Sequence, residues 1–198
     1  MTFNSYLKYI DESTNKISEE EIKNFVSILY SAFLENKTIF VIGNGGSAAS
    51  ASHLAEDLTK YTCLTLEQEK RIKAFSLTDN TPWITAISND NGYDRIFEQQ
   101  LRTISAKGDI LIAISGSGNS PNIIRAVEWA NENYLSTVGI TGFDGGKLHS
   151  INQHSVHIPL NDMCTVESIH TLIFHYVVIE LEKMIKTYFE NILKKINL

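Results

Sequence analysis

Thr38-Ile39-Phe40-Val41-Ile42-Gly43-Asn44-Gly45-Gly46-Ser47 decides the architecture of this chain. A short β-branched run ended by glycine, Thr38 to Ile42, suits a strand buried on both faces. Gly43 to Ser47 follows as a loop, and Ala48 to Leu58 reads as the next helix. The same order recurs downstream. Ile72 to Leu77 is a second strand, and Thr81-Pro82 is an N-cap with proline at the first helical position, where its missing N–H costs nothing. Asp109 to Ile114 is a third strand; Ser115-Gly116-Ser117-Gly118-Asn119 follows it, and Ser120-Pro121 opens another helix by the same device. Ser136 to Thr141 is a fourth strand, ending in Gly142 and the turn Asp144-Gly145-Gly146, and Ser155 to Pro159 is a short fifth.

Upstream of this run the first 36 residues read as helical. Ser18-Glu19-Glu20-Glu21 has the form of a capping box, and Ile22, Phe25, Val26, Ile28, Leu29 and Phe33 follow at helical spacing. From about Met163 onward the chain reads as one long helical stretch. Strands alternating with helices imply an α/β fold with a doubly wound, five-stranded parallel sheet covered on both faces. The expected division is a helical extension over 1–36, a sheet core over 37–160 and a C-terminal helix over 161–198, all in one domain.

A length of 198 residues is one ordinary domain, and an apolar fraction of 43% with 20% charged residues excludes disordered and collagen-like classes. Lys+Arg 17 against Asp+Glu 23 gives a net charge of -6, which argues against nucleic acid as a partner but not against one small anion. Cys63 and Cys164 are the only cysteines, so a disulfide framework is not expected and a reducing compartment is. Met1 to Ile10 lacks a basic start followed by an apolar run, and no stretch reads as reaching membrane-spanning length, so a cytoplasmic location with no membrane partner is expected.

In a parallel sheet ligands bind beyond the carboxyl ends of the strands, where both glycine-serine loops fall. Glycine lets the backbone approach a ligand, free N–H groups and the helix dipole favour an anion, and Ser47, Ser115, Ser117 and Ser120 add neutral donors. A phosphate fits such a set without a basic cluster. Either loop alone has a duller reading as an ordinary strand-to-helix turn. Gly43-x-Gly45-x-x-Ala48 also meets a loose dinucleotide fingerprint, but the acid beyond the second strand, Asp79, lies too far along the chain. No Gly-Lys-Ser/Thr follows, which excludes a P-loop. Two similar loops in one sheet favour a phosphosugar.

His53 and Asp57 stand at i, i+4 and share a helix face. Glu167 and His175 lie eight residues apart on the last helix, about 80° around its axis, and can point broadly the same way. His170 is displaced from both. Nitrogen and oxygen donors of this kind suit zinc or another divalent ion. The competing reading makes His53 a carbonyl partner, Asp57 a solvated charge and His175 a core residue. Asn89-Asp90-Asn91-Gly92 reads as a turn ending a helix. His149, His154 and His157 carry no expected chemistry.

With these motifs together, the chain resembles the sugar isomerase (SIS) domain family and, within it, the phosphoheptose isomerases. The matching elements are Gly43 to Ser47, His53 with Asp57, Asn89-Asp90, Ser115 to Ser120, Thr141-Gly142-x-Asp144-Gly145-Gly146 and the Glu167 to His175 segment. The resemblance implies the SIS fold, a homotetramer with active sites between subunits, and conversion of sedoheptulose 7-phosphate to D-glycero-D-manno-heptose 7-phosphate on the way to lipopolysaccharide or capsule heptose. It places substrate contacts at Asn44, Gly45, Gly46, Ser47, Asp57, Asn89, Asp90, Ser115, Gly116, Ser117, Ser120 and Glu167. Zinc and acid/base positions fall at His53, Asp57, Glu167 and His175, with Asp57, Glu167 and His175 catalytic. Two departures stand out: Asp57 replaces the family's usual Glu, and Thr165-Val166-Glu167-Ser168 replaces its usual Arg-Ile-Gln-Glu. The alternatives are an isomerase of another phosphosugar, or a non-catalytic regulator of the kind that some SIS-domain proteins are, binding a phosphosugar or a protein.

Overall fold

The structure is a computed structural model that describes residues 1–196; Asn197 and Leu198, placed by the sequence reading in the last helix, lie outside the described residues. Two helices lead, α1 (Phe3–Thr14) and α2 (Glu19–Glu35), followed by β1 (Thr38–Gly43) and α3 (Gly46–Glu56). A π-helical turn, Asp57–Tyr61, extends α3. Then come β2 (Lys73–Ser76), α4 (Thr81–Asn91), α5 (Ile96–Ile104), β3 (Ile110–Ser115), α6 (Pro121–Glu132), β4 (Ser136–Thr141), α7 (Gly146–Ile151), β5 (His154–His157) and α8 (Met163–Ile196).

All five strands are parallel, in the order β2-β1-β3-β4-β5. Alternation along the strands divides the core into two layers. Ile39, Val41, Ile110, Ile112 and Ile114 face α2, α3 and α8, while Phe40, Ile42, Leu111 and Ala113 face α5 and α6. A period of two thus gives the central strands β1 and β3 apolar residues for both layers, which is why these two read as continuous hydrophobic runs.

The long helix α8 buries Val166, Ile169, His170, Ile173, Phe174, Val177, Val178, Leu181 and Ile185 along one stripe. Its length and mean hydropathy of 1.2 do reach those of a membrane span, which corrects the expectation from sequence. Half of that apolar stretch is buried inside the fold, however, as in a core helix.

Local boundaries differ for identifiable reasons. Ser18 Oγ caps α2 by accepting from Glu21 N at 3.3 Å, but the Glu21 carboxylate does not complete the box; it accepts from His157 N of β5 at 2.9 Å. Asn80, not Thr81, caps α4, its side chain accepting from Trp83 N at 3.2 Å. Cys63 and Cys164 are free thiols, as expected.

Candidate active site

The chain leaves β1 toward β2 and leaves β3 toward β4, so the loops after these two central strands part from one another at a topological switch point. There Gly43–Ser47 and Ser115–Ser120 meet in a recess of about 310 Å³ lined by Asn44, Gly45, Gly46, Ser47, Ser115, Gly116, Ser117, Ser120, Met163 and Glu167. The two loops therefore line one recess rather than two separate turns. Gly45 has φ +55, a left-handed conformation that swings the backbone into the first turn of α3. Gly118, at φ +65, locks the second loop to the third: a Cβ there would collide with the Gly145 carbonyl oxygen, and Leu148 N donates to Gly118 O at 2.8 Å.

Asn44 is fixed from two sides. Its amide pairs reciprocally with that of buried Asn122, at 2.9 and 2.8 Å, and its Oδ1 also accepts from Tyr93 Oη at 3.0 Å. Neither partner was singled out from the sequence; Tyr93 lies 49 positions away, and only tertiary packing brings it there. Asn89 and Asp90 do not line the recess. They sit exposed at the end of α4, Asn89 Nδ2 donating to Asp90 Oδ1 at 2.7 Å. Asp79, just beyond β2, accepts from Ser52 Oγ at 2.5 Å.

The second constellation forms where α3 and α8 run side by side. His53 Nε2 lies 3.5 Å from Asp57 Oδ2, and His175 Nε2 lies 3.8 Å from the same oxygen. The two imidazoles meet edge to face with centroids 5.2 Å apart. One donor atom from each of His53, Asp57 and His175 falls within 4.8 Å of the others, an arrangement of two nitrogens and a carboxylate oxygen that fits a divalent ion. Asp57 is largely shielded while both histidines remain half exposed, so the cluster opens to solvent on one side. Glu167 is placed elsewhere: its carboxylate oxygens stand 2.7 and 2.8 Å from where a Cβ on Gly46 would be, inside the recess.

His170 packs inward, Nε2 lying 3.4 Å from the Thr141 carbonyl. Burial drives its pKa down to about 4 against a small opposing effect of that hydrogen bond, so it is a neutral core residue. His157 is also lowered, by burial and by neighbouring His149, with Glu21 and Asp144 acting in the other direction. His157 Nδ1 pairs with Thr141 Oγ1 at 2.9 Å, between register partners of β4 and β5.

A parallel sheet with a serine-glycine recess at its switch point and a histidine-carboxylate cluster beside it defines a class, and comparison with known proteins agrees. The SIS domain model matches residues 3–142, and the chain belongs to the SIS domain family. Its relatives are more particular. Phosphoheptose isomerase of Aliarcobacter butzleri is 38% identical over 167 residues, 84% of this chain and 80% of that protein. Phosphoheptose isomerase of Helicobacter pylori (strain P12) is 36% identical over 157 residues, 79% and 80% of the two chains. The structure of phosphoheptose isomerase GmhA from Neisseria gonorrhoeae superposes with a TM-score of 0.82 at 30% identity, covering 90% of this chain and 94% of that one. A phosphoheptose isomerase from Francisella tularensis gives 0.83 at 27%, covering 92% and 100%.

Proposed function

We propose that the chain is a phosphoheptose isomerase, interconverting sedoheptulose 7-phosphate and D-glycero-D-manno-heptose 7-phosphate through an enediol. The observation that carries this reading is the approach of His175 to Asp57, 3.8 Å apart although they come from different helices, beside a recess suited to phosphate. Aldose–ketose exchange needs a base at the carbon acid and a partner for the oxygen proton. Asp57 or Glu167 takes the carbon-bound proton, and His175 acts as the acid at the oxygen. Asp57, shielded and within reach of both imidazoles, is the better supported base. Ser115, Ser117, Ser120 and the Gly45–Ser47 backbone hold the phosphate through neutral donors, which fix the sugar and leave the reacting carbons toward the cluster. Asn89 and Asp90 remain substrate contacts only if the end of α4 moves inward on binding.

His53, Asp57 and His175 would hold one divalent ion, zinc by donor type, with Glu167 as a further ligand if its side chain turns from the recess. Bound there, the ion would supply Lewis-acid polarisation of the carbonyl. Assembly as a homotetramer fits the exposed stripe Leu172, Tyr176 and Ile179 that flanks His175 on α8. The free thiols fit the reducing conditions of a cytoplasmic enzyme. Such an enzyme would serve heptose supply for lipopolysaccharide or capsule.

The test is turnover of sedoheptulose 7-phosphate by the wild-type protein and His175→Gln. Loss of turnover in a variant that still unfolds cooperatively is expected; wild-type activity would remove His175 from the mechanism. Glu167 and Asp57, where the family has Gln and Glu, are the features that favour a second reading, isomerisation of a different phosphosugar. Faster turnover of another ketose phosphate by the wild-type protein would establish it.

A further inference from the structure

We infer that Glu167 makes anion binding in the recess conditional on a divalent cation at the His53, Asp57 and His175 cluster. This rests on the reading that the recess receives a phosphate. The recess offers hydroxyls, backbone N–H groups and the N-terminal end of α3, but among the described residues no lysine or arginine lines it. The single ionisable side chain in its lining is Glu167. Its carboxylate leans over Gly46, at the first turn of α3, where the helix dipole would otherwise favour an incoming anion. A carboxylate in that position opposes phosphate by like-charge repulsion at short range, and this pocket holds no cation of its own to compensate.

The compensation lies further along the same helix. His53 follows Gly46 by seven residues, about 10 Å along the axis at the rise of an α-helix. A divalent ion held there sits within roughly one Debye length of the recess. It adds an attractive potential of the opposite sign to that of Glu167. Metal and phosphate are then linked ligands: whatever factor the ion contributes to phosphate affinity, phosphate returns to the ion. A neutral side chain at position 167 breaks the dependence, because the phosphate donors then act without opposition.

The experiment is titration calorimetry with inorganic phosphate at fixed low ionic strength. The proteins are the metal-free wild type, the wild type with one equivalent of zinc, metal-free Glu167→Gln, and His53→Ala with and without zinc. Circular dichroism confirms that each variant is folded. Zinc is expected to tighten phosphate binding to the wild type about tenfold, the scale of one charge acting on another near a protein surface. Metal-free Glu167→Gln is expected to bind phosphate about tenfold more tightly than the metal-free wild type, and His53→Ala to lose the response to zinc. Phosphate binding that is equal in metal-free wild type and Glu167→Gln, or that responds to zinc in His53→Ala, overturns the inference and leaves the phosphate recess standing. Absence of phosphate binding in every form overturns the recess itself, and the inference with it.

Discussion

Replacing Gly118 with alanine tests the packing that shapes the recess. Gly118 has φ +65, where an L-residue with a Cβ costs about 1 kcal/mol. The added methyl also points at the Gly145 backbone, which a flexible side chain could yield but a carbonyl cannot. The third loop must therefore shift, at the expense of the 2.8 Å hydrogen bond from Leu148 N to Gly118 O, and overpacking of this kind costs about 2 kcal/mol. Together these come to about 3 kcal/mol, which for a domain of this size lowers the melting temperature by about 6–12 °C. Thermal unfolding followed by circular dichroism reads this directly, and phosphate titration of the folded variant should show weakened binding, because Ser115 Oγ accepts from Gly118 N at 3.1 Å. A melting temperature within about 2 °C of the wild type would refute the claim that the two loops interlock through this glycine.

Tyr93→Phe removes the hydroxyl that donates to Asn44 while leaving the Asn122 pair intact. Its expected effect is a severalfold rise in KM for the phosphosugar with kcat nearly unchanged and less than about 1 kcal/mol of stability lost; an unchanged KM would show that Asn122 alone sets the loop. His170 is held neutral with its pKa lowered to about 4 from 6.5, so the unfolded chain binds the extra proton between those values. Stability contributed by the neutral form is complete above about pH 6.5 and is lost as pH falls toward 4, by about 3 kcal/mol in total. Urea midpoints measured across that range should flatten in His170→Gln, and a slope identical to wild type would show that other groups govern acid unfolding.

The central strands β1, β3 and β4 were legible because each is rich in β-branched or apolar residues and closes on glycine, serine or threonine, and β4 falls at the bounds read from sequence. The His53–Asp57 pair was legible too, since helical spacing alone places it. What sequence periodicity does not hold is how α8 lies against α3. Glu167 and His175 share a broad face, yet two turns of helix separate them, about 12 Å. The structure sends the first to the Gly46 loop and the second to Asp57. Tyr93 and Asn122 carry no local signal for a related reason. Each is an ordinary polar residue near a helix terminus until the fold sets it against Asn44. Asn80 displaced Thr81 as the cap because both have capping side chains, and the choice depends on one residue of backbone path.

Helix α8 presents His175 to solvent on one side and seals the sheet with Ile169, Ile173, Val177 and Leu181 on the other. A shift of α8 that carries the imidazole out of register must therefore uncover the apolar layer at the same moment. On heating, loss of turnover and uptake of a hydrophobic dye should rise together on one curve, with no silent, still-folded form between them.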